Sequence, residues 1–157
     1  MTTKLHALVD GHGRPLVIHA GPGHAHDSPM LPVLLGDLAV ARIGPGRART
    51  RPDCVIADKA YSSRAHRSLL RRRGIRAVIP EKNDQIAHRR RRGPRGGRPV
   101  AYDPVLYRQR NVIERGFNAF KQWRGLASRY DKLATRYRGG AVLRAITIWL
   151  RHLCDAA

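Results

Sequence analysis

A chain of 157 residues has room for one domain with a sizeable core and not for two full ones, since such a chain buries about 70% of its unfolded surface. Its 31 Lys and Arg against 11 Asp and Glu give a formal charge of +20, which calls for a polyanionic partner, nucleic acid first. No apolar run reaches the roughly 18 residues of a membrane span, and Cys54 and Cys154 lack zinc-ligand spacing, so the expectation is a cytoplasmic, nucleoid-associated protein rather than a membrane, secreted or zinc-finger one.

In chain order, Thr3–Val9 and Pro15–Ala20 are extended runs joined by Asp10-Gly11-His12-Gly13, which predicts a hairpin. Asp27 or Ser28 is expected to cap a helix carrying Met30, Leu31, Val33, Leu34, Leu35 and Leu38 and ending near Val40. Residues 42–51 are rich in Gly, Pro and Arg and read as a loop. Cys54-Val55-Ile56-Ala57 then reads as a buried strand ending at Asp58. Ser62 or Ser63 caps the next helix, Arg71-Arg72-Arg73-Gly74 closes it, and Arg76–Ile79 is a further short strand stopped by Pro80.

From 82 to 102 the composition predicts a basic, flexible loop, with Arg89, Arg90, Arg91 and Arg92 making nonspecific DNA contacts. Asp103-Pro104 opens a long helix expected to run to about Arg124. The last helix, Ala141–Cys154, places Val142, Leu143, Ile146, Trp149, Leu150 and Leu153 on one side and Arg144, Thr147 and Arg151 on the other. Together these elements predict one α/β domain, a mixed sheet with helices packed on it. His24 and His26 lack a complement of other metal ligands, and Trp123 suits core packing better than base stacking.

The long helix holds the chemistry. At about 100° per residue, Leu106, Ile113, Phe117 and Phe120 form a core stripe, while Tyr107, Arg110, Glu114 and Lys121 run along one edge of it over about 21 Å. On these residues alone, Glu114 suits a surface ion pair with Arg110, and Asp58 suits a turn cap. The spacing Y-x2-R-x3-E-x6-K, however, resembles the signature around the third acid of DDE transposases of bacterial insertion sequences of the type-four and type-five groups. Asn111 through Arg124 and Ser128-Arg129-Tyr130-Asp131-Lys132 are similar to the type-five side, and Ile56-Ala57-Asp58-Lys59-Ala60-Tyr61 resembles the second acidic motif.

The resemblance implies an RNase H-like fold in which three carboxylates hold two Mg2+, with Mn2+ as a substitute, for DNA cleavage and strand transfer. It makes Asp58 and Glu114 catalytic metal ligands and assigns Tyr107, Arg110 and Lys121 to phosphates of the element end. Implied partners are double-stranded DNA, at element ends and at the target, and a second copy or a chain fused from an upstream frame. Complete members carry an N-terminal DNA-binding region and a strand with a first Asp, neither of which is visible here. Asp10 aligns better with the end of the second strand. The expectation is therefore a truncated catalytic domain spanning 1–157, lacking the first strand, that alone neither cleaves nor joins DNA. A noncatalytic basic DNA-binding protein, or a regulator of a full-length transposase, is the alternative, and it makes Asp58 and Glu114 dispensable.

Overall fold

A computed structural model describes residues 2–128, 131 and 133–154. Part of the familial stretch, Arg129-Tyr130 and Lys132, lies outside the described residues. The chain divides into two compact units, Met1–Thr50 with Asn111–Ala157, and Arg51–Arg110. Each unit closes around its own apolar residues.

In the first unit, strands β1 (Thr3–Val9) and β2 (Pro15–Pro22) form the expected antiparallel hairpin, with His6 opposite His19 and Leu8 opposite Val17. The turn is fixed locally. Asp10 Oδ1 accepts from the backbone N–H of His12 and of Arg14, both at 2.9 Å, and Gly13 takes φ +85°, which a residue with a Cβ adopts at a cost.

Alternate residues of a strand face opposite ways, and both faces of this hairpin are covered. Leu8 and Val17 pack with Leu34 and Leu38. Leu5, Ala7 and Ile18 pack with Phe120, Leu126, Tyr137, Ala141, Ala145 and Ile148. Helix α1 (Met30–Gly36) is shorter than expected, and its N-cap is Pro29. Asp27 is not the side-chain cap: its carboxylate is drawn 2.8 Å from Lys4 Nζ instead.

The second unit is a β-α-β arrangement. Strands β3 (Cys54–Ile56) and β4 (Arg76–Val78) are parallel, with Val55 beside Ala77, and helix α2 (Arg64–Arg72) connects them. Ser63 caps α2 by accepting from His66 N–H at 3.1 Å, and Gly74 leaves it at φ +64°. Val55, Leu70, Ile75, Val78 and Ile79 are buried.

Among the described residues each unit holds one two-stranded sheet, and the class is α/β as expected. Two expectations are corrected by these elements. The stretch expected as a flexible loop at 82–102 holds helix α3 (Asn83–Arg91) and a 3-10 turn at Gly93–Gly96. Gln85 secures its start: Oε1 accepts from Lys82 N–H at 3.4 Å and from the Ser62 hydroxyl at 2.9 Å. The long helix is segmented into α4 (Pro104–Tyr107), a 3-10 turn Arg108–Arg110, α5 (Asn111–Lys121) and α6 (Arg124–Ser128).

The last helix, α7 (Ala134–Cys154), begins earlier than expected and turns the other face inward. Tyr137, Ala141, Arg144, Ala145 and Ile148 are buried, while Leu143, Ile146, Leu150 and Leu153 are exposed. Two effects decide this. The small Ala141 and Ala145 sit in the core with Ile18 of β2, and buried Arg144 finds partners there. Arg144 donates to Ala119 O at 2.9 Å, to Gln122 Oε1 at 3.0 Å and to Thr147 Oγ1 at 3.2 Å, and lies over the Trp123 ring. Apolar counting along the sequence cannot see this, because it treats every arginine as solvated.

Candidate active site

Asp58 lies two residues beyond the end of β3, and ligand sites of parallel α/β units form beyond the carboxyl ends of their strands. Its backbone is extended and its Oδ1 accepts from Ala60 N–H at 3.3 Å, starting the 3-10 turn Lys59–Tyr61. The other oxygen, Oδ2, accepts from Arg110 Nη2 at 3.1 Å, with the two side chains 41% and 29% exposed. The carboxylate is thus both a turn cap and half of an accessible ion pair.

Asp58 also lines a recess of about 370 Å³ with Lys59, Lys82, Asn83 and Asp84. Asp84, in the first turn of α3, was missed by the sequence reading. Only the Asn83–Arg91 helix, unexpected in so basic a stretch, brings it to the recess of Asp58.

Glu114 is exposed in the first turn of α5. This helix rests on the hairpin turn: Val112 Cγ1 lies 3.4 Å from where a Cβ on Gly13 would be, and a Cβ on Gly116 would start 3.6 Å from Gly13 O. At 100° per residue Glu114 falls on the opposite side of α5 from Val112 and Gly116. Asp10 belongs to that hairpin turn, where Arg14 Nε and Nη2 each approach its Oδ2 to 2.6 Å. Its oxygens serve the turn.

Tyr107 makes an edge contact with Tyr102, ring centroids 5.5 Å apart, and Lys121 is exposed at the end of α5. Residues Arg108–Arg110 advance about 120° each in their 3-10 turn, so one uniform α-helical projection does not carry from Tyr107 and Arg110 to Glu114 and Lys121. Arg90, Arg91 and Arg92 are exposed, whereas Arg89 is ion-paired with Glu81. Trp123 packs against the core of the first unit, as expected.

Residues 1–149 match the family described as "Transposase DDE domain". The chain belongs to the DDE transposase family. It is 37% identical over 151 residues to the assigned transposase for insertion sequence element IS6501 of Brucella ovis, covering 96% of this chain and all of that protein. It is 32% identical over 83 residues to the assigned transposase for insertion sequence element IS402 of Burkholderia cepacia, covering 53% of this chain and 39% of that one. No solved structure matches it.

The family generally uses divalent metal. The donors here fit in kind, since Asp58 and Asp84 offer hard oxygens to one recess. They fall short in number: among the described residues no group of three His, Cys, Asp or Glu side chains is close enough to hold an ion.

Proposed function

We propose that this transposase-family chain acts in the DNA transposition of a bacterial insertion sequence, with Asp58 and Glu114 as two of the acidic residues of its phosphoryl-transfer site. The observation that carries the proposal is the family match over residues 1–149. The relatives named as insertion-sequence transposases and the station of Asp58 beyond the end of β3 support it. Tyr107, Arg110 and Lys121 are read as phosphate contacts, completing the Y-R-E-K pattern, and the domain as RNase H-like.

A divalent cation, Mg2+ or Mn2+, held by Asp58 and Glu114 would stabilise the charge that develops on the phosphoryl oxygens. Arg110 balances the Asp58 carboxylate before DNA arrives, and on binding its planar fork is shared with a phosphate. The isolated chain is expected to bind duplex DNA without cleaving or joining it. The net charge of +20 favours a second reading, a noncatalytic DNA-binding regulator.

A transposition assay separates the two. A marked copy of the element, carrying this gene with its own upstream DNA, is scored for movement into a target plasmid. Asp58→Asn and Glu114→Gln are each expected to lower the frequency by about a thousandfold or more, the scale of losing a group that acts on the transition state. Movement at the parental frequency in both variants overturns the catalytic reading and leaves the regulator.

A further inference from the structure

A second groove lies wholly within the Arg51–Arg110 unit, with none of the carboxylates of the proposed catalytic site in its walls. It measures about 1020 Å³, the upper end of what encloses a small ligand. Six arginines line it: Arg64, Arg67, Arg71, Arg76, Arg89 and Arg98. Arg64, Arg67 and Arg71 stand at i, i+3 and i+7 on α2, a stripe about 10 Å long on one face.

The two acids in the walls do not neutralise this set. Glu81 is paired with Arg89, and Asp103 lies 2.8 Å from Arg76 while its Oδ1 caps α4. Arg67 is held in place by donating to Ile79 O at 2.7 Å and to Ser62 Oγ at 3.2 Å. Arg64, Arg71 and Arg98 are exposed and have no side-chain partner among the described residues. A half-exposed aromatic, Tyr102, completes the wall and keeps edge contact with Tyr107.

We infer that this groove binds an unpaired DNA strand, its arginines taking the phosphates and Tyr102 a base. A guanidinium stripe alone would suit any polyanion, but the ring beside it favours nucleic acid over an acidic peptide. Bases in a duplex are stacked and paired and present no face to a wall, whereas an unpaired strand offers one per nucleotide. The inference rests on the transposition reading only for where such a strand would come from, the DNA opened at a cut end.

The test is fluorescence anisotropy on the full chain without metal, using a labelled oligothymidine strand and a blunt duplex. The combined variant Arg64→Ala, Arg71→Ala, Arg98→Ala is compared with Arg42→Ala, Arg47→Ala, Arg136→Ala, which removes the same charge from other exposed positions. The groove variant is expected to bind the single strand at least about tenfold more weakly than the control variant. The slope of log affinity against log salt should drop by about 2, as for three lost phosphate contacts at about 0.7 each. Tyr102→Ala should weaken single-strand binding by about tenfold while Tyr102→Phe keeps it, with duplex binding little changed in both.

Equal affinity of groove and control variants overturns the inference, as does an equal loss on duplex, or displacement of the strand by polyglutamate at the same charge concentration. Asp58→Asn does not enter these measurements, so failure of the groove is separable from failure of the catalytic reading.

Discussion

At the scale of single residues, one chemical type serves two ends here, and its surroundings decide which. Asp10 and Asp58 are both acids at a strand end. Asp10 is spent on its own turn, with two backbone N–H groups and a forked Arg14 on its oxygens. Asp58 keeps an accessible oxygen shared only with Arg110 among the described contacts. Asp10→Ala should therefore lower the unfolding free energy by about 1–2 kcal/mol in a urea titration, the loss of a charge-assisted hydrogen-bond set. The same change at Asp58 should cost under about 0.5 kcal/mol and act on transposition instead.

His6 is a third case. It is buried, Asp27 Oδ1 is 3.8 Å away, and burial lowers its pKa despite the attraction of that carboxylate, with Lys4 and His19 adding to the depression. The unfolded chain thus takes up a proton near the ordinary histidine value of about 6.5, where the folded chain resists it. Stability should fall as pH is lowered below about 6.5 and hold above it. Urea midpoints from pH 7.5 to 5 check this, and His6→Gln should flatten that part of the profile.

At the scale of elements, α7 separates what periodicity can tell from what it cannot. The apolar stripe of Val142, Leu143, Ile146, Trp149, Leu150 and Leu153 suggested a buried face, yet all but the part-buried Trp149, which donates to Pro15 O, are 40–61% exposed while Arg144 is 2% exposed. Size and hydrogen bonding outweigh apolar counting where a helix must lie close to a strand. Ile148→Ala should cost about 2–5 kcal/mol, as core truncations do, whereas Leu150→Ala should stay within about 0.5 kcal/mol. Comparable losses at both would mean that the inward face is assigned wrongly. Arg144→Met should cost about 2 kcal/mol by leaving Ala119 O and Gln122 Oε1 without their donor.

The hairpin was legible because Asp10-Gly11-His12-Gly13 encodes its turn locally, and β3 was legible because Val55 and its neighbours form a short apolar run. Helix α3 was not. Its start depends on Gln85 reaching Ser62, 23 positions earlier, and its arginines imitate a solvated loop.

At the scale of the whole molecule, charge and family agree. A net +20 and an Arg-lined groove suit DNA, and the family match over residues 1–149 specifies transposition. Composition carries no mark of the division into compact units at Thr50–Arg51 and Arg110–Asn111. The second division falls between Arg110 and Glu114, so sequence spacing names both residues without describing their geometry.

The central claim is that Asp58 and Glu114 serve one metal-dependent site. Binding of Mn2+ to the full chain on an element-end duplex, followed by electron paramagnetic resonance, tests it most directly. Asp58→Asn and Glu114→Gln should each weaken Mn2+ binding by about tenfold or more, with Arg115→Ala unchanged. Unaltered Mn2+ binding in both acid variants would contradict the claim.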